Sequence, residues 1–270
     1  MIEKNSLELR VKLGTSGYSY DDWRGYFYPP EIPKNKMLDF YSQYFKISEI
    51  NSSYYQIPKQ STIQRMAEKT PEDFEFIIKV NKETTHVRRE NQQAVDQLLE
   101  SLKPMMDADK FRGLLAQFPY SFKNREDNRK YLAQTRKFTG SLPLFVEFRH
   151  ESWNKPQIHK FLQELNISYV NVDGPQLPGL LPPQSVVTTE TGYVRLHGRN
   201  EEKWWDGKGM ERYDYLYNEE ELKTWLTQIS EIMRKTYKTY IFFNNHPNGQ
   251  AVKNARQMLN LLDTQLKLGV

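Results

Sequence analysis

The feature that most constrains this chain is a repeated alternation. Short apolar or alternating segments, which read as strands, recur eight times with helical patterns between most of them. They are expected near residues 10–15, 47–52, 74–80, 113–118, 144–149, 168–173, 193–197 and 239–244. Strand, crossover and strand in this order favour a parallel sheet, and 270 residues suit a TIM-type (β/α)8 barrel. No linker divides the chain, so residues 1–270 are read as a single TIM-barrel-like domain. One connection is irregular: between strands 6 and 7 lies GPQLPGLLPPQ at 174–184, with no room for a long helix. The competing open doubly wound sheet would carry a glycine-rich nucleotide turn, and the sequence has none.

Helix starts agree with this frame. Ser61 is placed to cap the segment after the second strand, and Asn218 with Glu221 three residues on reads as a capping box. The last helix is expected over about residues 251–268.

Composition removes several chemistries. With no cysteine there are no disulfides, thiolate nucleophiles, cysteine-ligated zinc sites or iron–sulfur clusters, and a reducing cytosol is compatible. A net charge of +4, from 38 basic and 34 acidic residues, is too weak a bias to mark a dedicated nucleic-acid binder. No apolar run approaches the roughly 18 residues of a membrane span. The opening MIEKNSLELRVKLG lacks the apolar stretch of a signal peptide, so a cytoplasmic location and no membrane partner are expected.

Alternation then sorts the strand residues. In strand 3, Phe74, Phe76, Ile78 and Val80 share the helix-facing side, leaving Glu75, Ile77 and Lys79 inward. The same parity in the other strands gives a polar interior set: Glu49, Asn51, Lys79, Gln117, Glu147, Arg149, Asn171, Asp173, Arg195 and His197. Asn244 joins it if the eighth strand keeps register. Three carboxylates face three cations in this set. Barrel interiors usually carry Val, Ile and Leu, and isolated buried charges are expensive, so polar strand ends point to a site at the C-terminal face. The alternative is a structural ion network.

Local motifs refine the picture. His150, in EFRHESW, falls on the helix-facing parity and reads as a hydrogen-bonded strand-end histidine. RLHGR at 195–199 resembles an anion subsite, and Thr85-His86 brings a histidine toward the mouth. The loop at 200–217 carries Trp204 and Trp205 and reads as a lid, a stacking platform or a packed surface loop. The histidines are scattered and cations interleave the carboxylates, so no metal and no cofactor are expected.

Taken together, ordered blocks across nearly the whole chain resemble the domain-of-unknown-function 72 family, also called YecE-like proteins. They include GTSGYSYDDWRGYFYPP at 14–30, FYSQYFKISEINSSYYQIP at 40–58, LLAQFP at 114–119, VEFRHESW at 146–153, YVRLHGR at 193–199 and FFNNHPNGQAVKNA at 242–255. The resemblance implies a TIM-barrel-like fold and names no substrate. Family members often place Trp where Tyr18 stands and Asp where His246 stands, so His246 is left outside the expected site.

The expected function is an enzyme that binds a small anionic or polyhydroxylated ligand, such as a sugar phosphate or organic acid, at the barrel mouth. Glu49, Lys79, Glu147, Asp173 and His197 are the candidate acid–base residues. Asn51, His86, Gln117, Arg149, Arg195 and Asn244 are the candidate ligand-binding residues. Two alternatives stand beside it: a nucleic-acid-binding or nucleic-acid-processing barrel, disfavoured by the weak charge, and a non-enzymatic binding module. The reaction class (hydrolase, isomerase or lyase) and the oligomeric state stay open.

Overall fold

Eight parallel strands close into a barrel, each hydrogen-bonded to its sequence neighbours and β1 to β8. The computed structural model describes residues 10–89 and 91–267. The strands are β1 (Val11–Ser16), β2 (Ile47–Ile50), β3 (Glu75–Lys79), β4 (Phe111–Gln117), β5 (Leu144–Glu147), β6 (Ser168–Asp173), β7 (Thr191–Leu196) and β8 (Lys238–Phe243). The TIM-barrel fold class read from the sequence is the one observed. Some strands stop earlier than alternation alone suggests. Asn51 already has helical dihedrals and opens the turn Ser52–Tyr54, so β2 ends at Ile50.

Seven helices are described: α1 (Met37–Tyr41), α2 (Gln60–Glu68), α3 (Asn91–Asp107), α4 (Glu126–Thr139), α5 (Pro156–Glu164), α6 (Glu219–Lys235) and α7 (Gln250–Lys267). α6 starts on the capping box expected of it: Asn218 Oδ1 accepts the Glu221 N–H at 3.0 Å, and Glu221 Oε2 accepts the Asn218 N–H at 2.9 Å. Ser61 does not cap α2, which begins after an extended Lys59 with no side-chain cap. The expected end of α7 at residue 268 lies outside the described residues, as does the segment 1–9 read for targeting. No described helix is long and apolar enough to cross a membrane.

The irregular β6–β7 connection has no helix. Its backbone is held instead by polar side chains of β6 and of the loop itself. Asn171 Oδ1 accepts the Val186 N–H at 2.8 Å, and Asn171 Nδ2 donates to the Val186 carbonyl at 2.9 Å. Thr188 Oγ1 accepts the Tyr169 N–H at 2.8 Å. Tyr169 packs edge-on against His159 of α5, so its side of β6 is the outer one. Asn171 and Asp173 share that parity, and the inward side of β6 is Val170 and Val172. The expectation that Asn171 and Asp173 face the interior is therefore corrected.

Packing is layered. Between barrel and helices lie apolar side chains such as Phe148, whose ring stacks on Trp153 at 4.2 Å, together with Leu162, Trp225 and Ile229. Inside the barrel, Phe145, Tyr193, Tyr240 and Phe242 form an aromatic layer, with Phe145–Tyr193 and Tyr193–Phe242 centroids at 4.7 and 5.3 Å. Toward the N-terminal ends of the strands, Glu75 pairs with Lys238 at 2.5 Å and Arg112 at 3.2 Å. The opposite mouth holds the second polar cluster. At Gly14 a Cβ would lie 2.3 Å from the Ile47 carbonyl oxygen, so β1 approaches β2 only with glycine there.

Candidate active site at the barrel mouth

An arginine sits at the centre of the mouth. Arg195, at the end of β7, is fully buried, and its guanidinium joins two buried carboxylates from across the barrel. Nη2 donates to Glu49 Oε1 at 2.6 Å and to Ser16 Oγ at 3.3 Å, while Nη1 donates to Glu147 Oε2. The second Glu49 oxygen accepts the Tyr193 hydroxyl at 2.6 Å. Burial alone would discharge both partners. For Arg195, Glu147 and Glu49 overcome that penalty and push its pKa further up. For Glu147, burial is likewise outweighed by Arg149, Arg195 and His197, which hold its carboxyl well below the usual range.

His197 is locked rather than free. Its Nε2 lies 3.1 Å from Glu147 Oε1 and its Nδ1 lies 2.9 Å from Asn244 Nδ2. The carboxylate accepts from Nε2–H, so Nδ1 is an acceptor and takes the asparagine N–H. Burial and the nearby Arg149 cation push this histidine down to about 3 despite Glu147, which keeps the ring neutral. Asn244 is thereby shown to be inward, so β8 keeps register.

The open part of the mouth belongs to Lys79 and Arg149. Lys79 Nζ donates to Gln117 Oε1 at 2.9 Å and lies 4.7 Å from the centre of the Tyr54 ring. Gln117 is fixed in turn by donating to the Phe118 carbonyl at 2.7 Å. No described carboxylate forms an ion pair with Lys79. Burial, then Arg195, lower its pKa to about 7 against the raising effects of Glu147 and Glu49. Arg149 Nε forms an ion pair with Glu147 Oε1 at 2.8 Å, no described group accepts a hydrogen bond from its two terminal nitrogens, and its guanidinium lies 5.5 Å from the Trp204 ring.

These groups line a cavity of about 480 Å³ together with Asn51, Asn244, Arg195, Tyr20, Tyr54, Tyr213 and His246. Three residues of its lining each carry a buried polar atom without a partner: Asn51 Oδ1, Arg195 Nε and His246 Nδ1. Such atoms carry a desolvation cost unless something bonds them.

Of the residues expected from the sequence, Glu49, Asn51, Lys79, Gln117, Glu147, Arg149, Arg195, His197 and Asn244 do converge. Asp173 does not. On the outer side of β6, it receives Arg199 at 2.8 and 2.9 Å and the Tyr217 hydroxyl at 2.6 Å. Removing it unbalances the mouth: Glu49 and Glu147 face Lys79, Arg149 and Arg195, leaving one positive charge when Lys79 is protonated. His86 stands outside the cavity lining, edge-on to Tyr54 at 5.0 Å and bonded to Thr85 Oγ1 at 2.9 Å. Burial, with Lys79 and Arg149 nearby, lowers it to about 4, so it is neutral where it packs on Tyr54.

In the loop after β7 the two tryptophans pack, the third of the readings offered for it. Trp204 is buried under Arg149 and Trp205 packs on Tyr120 at 4.9 Å. Met210, Arg212 and Tyr213 of that loop line the cavity instead. His246, set aside on the family pattern, lines it too and stacks on Tyr20 at 4.5 Å. Tyr193 was missed although it shares the parity of Arg195. Tyr20, Tyr54 and Tyr213 come from loops, where alternation carries no signal. His150 is a strand-end histidine as expected, its Nδ1 accepting the Ser152 N–H at 3.0 Å.

Fold and site define a TIM-type barrel whose mouth is cation-rich and lined by aromatic rings. A family model described as "Protein of unknown function DUF72" matches residues 12–268, and the chain belongs to that family. The UPF0759 protein YunF of Bacillus subtilis is 31% identical, covering 94% of this chain and 95% of that protein. A DUF72 family protein (TM1631) from Thermotoga maritima superposes with a TM-score of 0.88 at 40% identity, covering 94% of this chain and 99% of that one. A second DUF72 structure, from Enterococcus faecalis, gives 0.85 at 26% identity over 94% and 95%. A xylose isomerase domain containing protein from Salmonella typhimurium, at 10% identity and a TM-score of 0.54 over 96% and 98%, shares the fold.

Proposed function

We propose that this chain is an enzyme acting on a small anionic, hydroxyl-bearing ligand, such as a sugar phosphate or hydroxy acid, held in the barrel mouth. The observation that carries the reading is the division of labour among the cavity charges. Glu49 and Glu147 are saturated by Arg195, Arg149, His197 and Tyr193, whereas Lys79 and the terminal nitrogens of Arg149 have no carboxylate of their own. A ligand anion would supply it, through charge-assisted and, for Arg149, potentially bidentate hydrogen bonds. Asn51 lines the cavity, and its side-chain amide can bond a ligand hydroxyl.

In this reading the acid–base group is Lys79. An amine near neutrality can take a proton from a ligand carbon or oxygen and return it. His197 and the two carboxylates act one step back, since every nitrogen and oxygen they offer is already bonded inside the protein. They orient Arg195 and Arg149. Arg149, Arg195, Gln117 and Asn51 would bind, and Tyr20, Tyr54 and Tyr213 would wall the ligand from water.

Calorimetric titration tests this. Glycerol 3-phosphate should bind more tightly than inorganic phosphate. Arg149→Met should weaken both by about tenfold or more, a loss of about 1.4 kcal/mol. Asn51→Leu should remove the advantage of glycerol 3-phosphate while sparing phosphate. The exposed Lys253→Met should change neither. Equal binding by wild type and Arg149→Met would overturn the reading.

A further inference from the structure

Lys79 differs from the other cations of the mouth in its neighbours. Arg195 and Arg149 are tied to Glu147, and Arg195 also to Glu49. Among the described residues the Lys79 amine bonds an uncharged amide and lies over an aromatic face, and it reaches the cavity from the end of β3. Neither neighbour stabilises an ammonium as a carboxylate would, and neither blocks the amine from an incoming carbon. Arg195 and Arg149 stand close enough to Lys79 to oppose its charge further. This arrangement, cations beside a desolvated amine, is a recognised way to activate lysine as a nucleophile.

We propose that Lys79 forms a covalent imine with the carbonyl carbon of its ligand, so that the substrate class is a phosphorylated or carboxylated aldehyde or ketone. This deepens the anion-binding reading above and rests on it for the placement of the carbonyl. The uncharged amine attacks the carbonyl carbon, forming a C–N bond as the C=O π pair moves to oxygen. That oxygen takes up a proton, nitrogen gives one up, and a carbinolamine results. Protonation of the carbinolamine hydroxyl expels water, and the nitrogen lone pair closes the C=N bond. Carbonyl compound and amine thus give imine plus water, with no change of oxidation state. The protonated imine withdraws electrons from the neighbouring carbon and eases proton loss or C–C cleavage there.

The test is reductive trapping of the intact protein. Dihydroxyacetone phosphate is added at pH 7 with sodium cyanoborohydride, which adds hydride to an imine and makes the link permanent, and the labelled lysine is located by peptide mass mapping. The proposal expects Lys79 to be labelled about tenfold faster than exposed lysines such as Lys253, since a far larger share of its amine is uncharged at pH 7. Excess inorganic phosphate should slow Lys79 labelling and leave the exposed lysines unaffected. Lys79→Arg should keep its fold, read by circular dichroism, and lose the fast label. Label confined to exposed lysines, with phosphate binding intact by calorimetry, would overturn the imine and leave the anion site standing. Fast label at Lys79 that phosphate does not slow, with no calorimetric phosphate signal, would support the imine and overturn the anion reading.

Discussion

At the residue scale the mouth is a charge network whose members depend on one another. Glu147 accepts from Arg195 and His197 and pairs with Arg149, so Glu147→Gln leaves buried cations without their anion. The expected loss is about 3–5 kcal/mol, read from the urea midpoint, because breaking one side of a buried pair costs more than the pair contributes. His197 is lowered to about 3 from the ordinary 6.5 of an exposed histidine. The folded state then binds fewer protons than the unfolded one between those values. Its contribution is present above pH 6.5 and lost as pH falls toward 3. His197→Asn should flatten that part of the stability–pH curve, and an unchanged slope would contradict the neutral, locked ring. Lys79, lowered to about 7 from 10.5, gives a contribution present above pH 10.5 and lost as pH falls to 7. Lys79→Met should therefore gain stability on wild type below pH 7 and lose that advantage as pH rises.

At the element scale, the strands were legible where each strand has an apolar helix on one side. In β3 the helix-facing Phe74, Phe76 and Ile78 mark the parity, and Lys79 follows from it. In β6 the same rule fails for a physical reason. α5 meets its outer face at Tyr169, but beyond that residue the face is covered by the β6–β7 connection, whose backbone needs polar partners, which Asn171 supplies. A polar residue there does not face the barrel interior. Two elements carry their own tests. Asn218→Ala removes the capping box of α6 and should cost about 1 kcal/mol in thermal or urea unfolding. Gly14→Ala puts a methyl against the Ile47 carbonyl and should cost about 1–3 kcal/mol, with β1 and β2 forced apart. A neutral Gly14→Ala would mean that β1 yields more readily than its close approach to β2 implies.

At the scale of the whole molecule, closure of the barrel brings the site together. Glu49, Lys79, Glu147, Arg149, Arg195 and Asn244 sit at the ends of five strands spread over nearly 200 residues of sequence, and alternation was enough to gather them. The cavity walls were not legible in the same way. Tyr20, Tyr54, Tyr213 and His246 lie in loops whose meeting depends on the closed barrel, and no period marks them. Family membership fixes the architecture and leaves the chemistry to the mouth, where the central claim is an uncharged-capable amine set beside unpaired guanidinium nitrogens. The most direct measurement is the NMR pH titration of the protein labelled with carbon-13 at lysine Cε, run with and without inorganic phosphate. One signal, absent in Lys79→Met, should titrate near pH 7 and move upward when phosphate binds. If no lysine signal titrates near pH 7 and none responds to phosphate, the mouth is a structural ion network and no anion site.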